Sequence, residues 1–174
     1  MTTGEQVSDS RRNEAWFDYL EAVRLERYYY KLYDRYQMWR QAIRFLIFLS
    51  VSGNVVGALQ GAPSWIIWSV STVAAILLAV DFLGDHARKA ASSFAISQAC
   101  ATLCNDYSRL WQQINEREID ELQVVSRLEE LAESVRRTTG RAGDVDLRTN
   151  ERLNERSTVE ANQLLESRYV VQGA

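Results

Sequence analysis

Few residues of this 174-residue chain are of types that do chemistry. The one histidine, His86, rules out a histidine-built metal cluster. Cys100 and Cys104 stand one helical turn apart with no histidine nearby in sequence, and two cysteines make no disulfide framework. They read as small side chains filling gaps between helices. Glu129, Glu130 and Glu133 have the spacing of a solvated helix face. The sequence contains no glycine-rich phosphate loop, nucleophile elbow or zinc-protease pair of histidines. No enzymatic activity and no cofactor are therefore expected. A net charge of -3 argues against nucleic acid as a direct ligand.

The informative polar residues are those set in an apolar stretch. Ser50 and Asn54 fall within a first apolar run, residues 43–61, and Ser71 and Thr72 within a second, residues 65–83. Arg44 and Asp81 lie equally far from the segment that joins the runs, and Asp85 follows Asp81 by one turn. Two roles are open for each group. Ser50, Asn54, Ser71 and Thr72 either hydrogen-bond between two helices or line a polar pathway in an oligomer. Arg44 and Asp81 either pair, which lowers the cost of both at a membrane edge, or join Asp85 in a ring of carboxylates that favours cations.

The elements that must position these groups are two helices. Each run is roughly 18–19 residues, or roughly 27–28 Å of helix, close to the thickness of a bilayer core. Between them Gly61-Ala62-Pro63-Ser64 makes a turn, with Ser64 as candidate cap of the second helix. Trp65 and Trp68 suit the interface beyond the turn. Lys31, Arg35, Arg40 and Arg44 precede the first run, His86, Arg88 and Lys89 follow the second, and the turn is uncharged. The excess of cations on the flanks predicts a transmembrane hairpin with both termini in the cytosol. Gly53, Gly57 and Gly61 form a row of small residues on the first helix, and Ser71, Ala75 and Ala79 another on the second. Such rows let helices approach closely, either within one hairpin or between subunits of a homo-oligomer.

The remaining sequence predicts helical arms. Residues 1–13 are polar and expected to be disordered. Residues 14–41 read as an aromatic helix, with Tyr29, Tyr33 and Tyr36 on one face, that can run on into the first span. Residues 84–138 read as a helical hairpin broken by a turn at Asn115-Glu116-Arg117-Glu118. Phe94, Ala101, Leu103, Tyr107, Leu110 and Ile114 hold helical spacing in its first helix. Leu122, Val125, Leu128, Leu131 or Ala132, and Val135 share a face of its second. A loop over residues 139–147, opened by Gly140 and Gly143, and a polar helix over 148–169 complete the chain. The expectation is an all-α protein: a transmembrane hairpin in residues 42–83 and a cytosolic bundle of the arms.

The layout resembles the SLATT family, the two-transmembrane effector domains associated with SMODS nucleotidyltransferases and SLOG sensors in bacteria. The resemblance rests on the aromatic arm Tyr28-Tyr29-Tyr30-Lys31-Leu32-Tyr33 and the turn Gly61-Ala62-Pro63-Ser64. It continues through Tyr107-Ser108-Arg109-Leu110-Trp111, Leu128-Glu129-Glu130-Leu131 and Asn150-Glu151-Arg152-Leu153-Asn154. It covers roughly residues 14–170 by layout more than by an invariant motif. It implies an antiphage effector of the bacterial inner membrane that oligomerises and permeabilises the bilayer. The trigger would come from a partner such as a nucleotidyltransferase or a reverse transcriptase. The alternative is a non-conducting membrane scaffold that recruits a cytosolic partner through its bundle.

Overall fold

The computed structural model describes residues 7–61, 63–143, 147 and 150–169, without the side chains of 58–59, 81–83 and 141–143. It contains five helices and, among the described residues, no strand: α1 (Asp9–Leu59), α2 (Ser64–Leu83), α3 (His86–Asn115), α4 (Glu121–Gly143) and α5 (Glu151–Tyr169). The all-α expectation is met. Contacts divide the chain into a unit of Met1–Leu32 with Ser92–Ala174 and a unit of Tyr33–Ala91.

The first unit is a helical bundle built by α4, α5 and parts of α1 and α3. Its core comprises Ala15, Tyr19, Ala22 and Val23 of α1, Cys104, Tyr107, Leu110 and Ile114 of α3, Val124 and Leu128 of α4, and Ala161 and Leu165 of α5. An aromatic cluster adjoins it. Trp16 lies 5.0 Å from Trp111 and 5.4 Å from Tyr169 between ring centroids, and Tyr19 meets Tyr169 edge-on at 6.3 Å. Polar ties join α5 to α1. Lys31 pairs with Glu160 at 2.5 Å, the Arg24 guanidinium bonds Asn154 and Glu21, and the Asn150 backbone N–H donates to the Tyr28 hydroxyl at 3.1 Å. These are modest contributors beside the apolar core, because exposed pairs are screened.

Local chemistry sets the helix ends. α3 closes in a Schellman motif: the Glu118 N–H donates to the Gln113 carbonyl at 3.0 Å and the Arg117 N–H to the Ile114 carbonyl at 3.3 Å. Arg117 takes the left-handed position there, with φ 57°. Asp120 and Gln123 then form a reciprocal capping box at the start of α4 (2.8 and 3.3 Å). At α5 the Asn150 side chain accepts the Leu153 N–H at 3.1 Å.

Several expectations are corrected by this geometry. Residues 9–13 are helical; residues 1–6 lie outside the described residues. α4 passes through Gly140 to Gly143, since one glycine costs only about 1 kcal/mol in a helix already anchored by packing. α5 starts at Glu151, where the Asn150 cap sets its origin, and not at residue 148; residues 148 and 149 are outside the described residues. The inward residues of α4 are Val124 and Leu128, while Leu122 is 82% exposed. Phe94 is exposed, whereas Leu103, Tyr107, Leu110 and Ile114 are buried as their spacing predicts.

Leu165 and Leu122 offer a direct test of this core. Leu165 is fully buried, so Leu165→Ala should destabilise the bundle by about 2–5 kcal/mol. Leu122→Ala should change stability by less than about 0.5 kcal/mol. Denaturant unfolding of the detergent-purified chain reads both.

Candidate functional site

The second unit is a hairpin of the α1 residues from Tyr33 onward and α2, followed by the start of α3. Gly61, at φ +72°, reverses the chain after α1. Pro63 occupies the cap position of α2 with no side-chain cap bond, and Ser64 is the first helical residue. The expected Ser64 cap is therefore not formed: a proline one residue earlier, with φ near the helical value, already fixes the entry. α2 ends at Gly84, whose N–H bonds the Val80 carbonyl at 2.9 Å. A Cβ at Gly84 would stand 2.6 Å from the His86 ring and 2.8 Å from that carbonyl, so no other residue fits without rearrangement. Asp85 does not continue α2. It turns the chain with φ 52° and lies 3.8 Å from Arg88.

The two helices meet along a narrow seam. On α1 the buried or half-buried positions of the apolar run are Ile43, Ile47, Ser50, Asn54 and Gly57, together with Ser52 on the outer side; on α2 they are Ile67, Val70, Ala74 and Leu77. Apart from Ser52 the spacing alternates threes and fours, as in a coiled-coil seam. Asn54 is the polar member that crosses it: its Nδ2 donates to the Ser71 Oγ at 2.8 Å. Its Oδ1 is buried with no partner among the described residues. The Ser50 hydroxyl donates to the Leu46 carbonyl and Thr72 to the Trp68 carbonyl, each one turn back, at 2.8 and 2.9 Å. Ser69 does the same to Trp65 at 2.8 Å. Such back-bonds satisfy a hydroxyl without water.

The sequence-derived sites distribute as follows. Asn54 and Ser71 are brought together in the bond between helices. Ser50 and Thr72 turn to their own backbones. The small rows do not make the hairpin interface: Gly53, Gly61, Ser71, Ala75 and Ala79 are all exposed, and only Gly57 is half-buried. A Cβ on Gly53 or Gly61 would meet nothing within 4 Å. The α2 seam is instead Ile67, Val70, Ala74 and Leu77, a pattern that three-four spacing carried and that attention to small residues passed over. The Asp81 side chain, and with it the expected pair with Arg44, lies outside the described residues. Arg44 itself is exposed.

The outer surface of this unit is apolar. Of the large hydrophobic side chains exposed among the described residues, all but Phe17, Tyr30, Phe94, Leu122 and Val159 belong to it. Phe48 is 66% exposed and Trp68 73%. Over the described residues, no helix is long and apolar enough to cross a membrane; the described side chains of α2 end at Val80, short of its last residue, Leu83.

In the bundle, the cysteines are inert by environment. Burial pushes the Cys100 thiol up to about 12, and burial with Glu26 nearby raises Cys104 as well. Neither thiol is ionised near neutral pH, so neither is an activated nucleophile. No cluster of metal-ligating side chains occurs among the described residues. An open groove of about 340 Å³ between α3 and α4 carries both charge signs, with Asp106, Arg109, Arg127 and Glu130 at its walls. Compared with known proteins, the chain matches no family model, no curated protein and no solved structure.

Asn54 and Ser71 should couple. Asn54→Ala and Ser71→Ala each remove the same bond, so the double variant should lose less than the sum of the singles, by about 0.6 and at most about 1.7 kcal/mol. Additive losses in thermal unfolding of the detergent-solubilised chain would show that the bond contributes nothing.

Proposed function

We propose that this chain is a membrane effector of bacterial antiphage defence, a two-helix hairpin that oligomerises in the inner membrane and permeabilises it when a partner enzyme or its signal arrives. The observation that carries the membrane part is the hairpin's exterior. Phe45, Phe48, Val55, Trp65, Ile76 and Leu78 all face outward, while the hydroxyls of Ser50, Ser69 and Thr72 are bonded to their own helices. Exposed apolar patches of this extent mark surfaces that meet a partner or lipid. Side-chain hydroxyls closed on the backbone are compatible with a medium without water, but Thr102, Ser134 and Thr158 of the bundle close in the same way, so the exposed apolar surface alone carries the reading. The cations flanking the hairpin support a cytosolic position for both termini.

The defence role rests on the SLATT-like layout, and oligomerisation is supported by the exposed small faces. Gly53 on α1 and Ala75 and Ala79 on α2 are left open by the intramolecular seam, so a neighbouring helix can approach them closely. In the resting state Asn54 is held by Ser71. Permeabilisation would exchange such internal bonds for water between subunits. Asn54, Ser50, Ser71 and Thr72 are the groups available to line that path, with Asp81 and Asp85 at its cytosolic end.

The test is membrane depolarisation in cells expressing the chain with and without its genomic neighbour. Wild type should depolarise only with the trigger. Asn54→Leu with Ser50→Ala should still insert, because both changes lower the cost of burial. It should conduct less, because an apolar constriction dewets. Full depolarisation by the inserted double variant would remove these groups from the pathway. Absence of depolarisation by triggered wild type would favour the non-conducting scaffold.

A further inference from the structure

One row of α1 has the polarity of a lipid. Arg40 and Arg44 are one helical turn apart, and the same side of the helix continues through Phe48, Val51 and Val55. Phe48, Val51 and Val55 are each more than half exposed. No charged residue follows Arg44 until Asp81. Among the described residues neither Arg40 nor Arg44 forms an ion pair, although seven such pairs are made elsewhere. Asp85, the described carboxylate at the same end of the hairpin, is 3.8 Å from Arg88. Trp39, beside Arg40 in sequence, is 56% exposed, as an interfacial tryptophan would be.

We infer that this row binds an anionic phospholipid, its phosphate held by Arg40 and Arg44 and an acyl chain lying along Phe48, Val51 and Val55. The inference rests on the membrane reading above and adds a ligand to it. Guanidinium groups suit phosphate because their planar donors match its oxygens in pairs. The span from Arg44 to Val55 is about 16 Å at 1.5 Å per residue. That is about half of a hydrocarbon core of roughly 30 Å, the depth of one leaflet. A second copy of the chain is the poorer occupant, because it would have to cover two cations lacking a described counter-charge. The open Gly53 notch lies well round the helix from Phe48, five residues or about 140° away, so lipid on one side leaves it free for a neighbouring subunit.

The experiment uses the full chain and two readouts. Wild type and Arg40→Gln/Arg44→Gln are reconstituted in phosphatidylcholine vesicles and washed with alkaline carbonate. Both are also purified in detergent, offered equimolar phosphatidylglycerol and phosphatidylcholine, and weighed intact by native mass spectrometry. Both proteins should resist carbonate. Wild type should retain phosphatidylglycerol preferentially, and the double variant should lose roughly thirty-fold of that preference, the scale expected for two cations near an anionic surface. An Arg40→Lys/Arg44→Lys variant should keep part of it. Equal retention of the two lipids by wild type, or full preference in the glutamine variant, would overturn the lipid site and leave the membrane reading standing. Displacement of the lipid by millimolar inorganic phosphate would likewise overturn it, as showing an anion site with no acyl component. Extraction of wild type by carbonate would overturn both readings together.

Discussion

Two helices packed side by side can each hide one face and no more. In this hairpin that hidden face is a stripe one side chain wide, from Ile43 to Gly57 on α1 and from Ile67 to Leu77 on α2. Most of the other described side chains on the apolar runs point away from the seam. In water, that exterior would cost roughly 25 cal/mol for every square ångström of apolar surface left exposed. In lipid it costs nothing, and the expensive groups become the polar ones. The hydroxyls of the runs are already satisfied within the protein. Ser50, Ser69 and Thr72 close on their own carbonyls, and Asn54 reaches Ser71 across the seam. The Asn54 Oδ1 is the one buried side-chain polar atom of the apolar runs without a partner among the described residues. A group of that kind is where a change of packing costs least.

The bundle is built differently. Its buried side chains form one cluster drawn from four helices, and side chains cap the starts of α4 and α5. Tyr19, Val124 and Leu165 are almost wholly removed from solvent. The two cysteines belong to this packing, and burial keeps their thiols protonated.

Much of this was legible in the sequence, for physical reasons. Scarcity of proline and glycine left helix as the only economical state, and the single proline marked the hairpin turn. Leu103, Tyr107, Leu110 and Ile114 announced a buried face through spacing alone. The polar contact was legible because Asn54 and Ser71 sit level when counted from the turn. Other features were not. Val124 was not legible, since the spacing of Leu122, Val125 and Leu128 made an equally good apolar stripe and the face that α4 buries is set by packing against the core. The rows of small residues left the hairpin seam and a subunit interface both open; Ala74 and Leu77 occupy the seam, because small residues permit close approach without requiring it. Asp85 was placed one helical turn beyond Asp81; the helix breaks there instead, at a left-handed φ that sequence spacing does not encode.

The central claim is that the hairpin crosses the bilayer twice, and topology tests it most directly. Reporters fused at the N-terminus and at the C-terminus should both report the cytosol, and one inserted beside Pro63 should report the outside. A terminal fusion that reports the outside, or a cytosolic signal from the Pro63 insertion in a correctly folded chain, would contradict it.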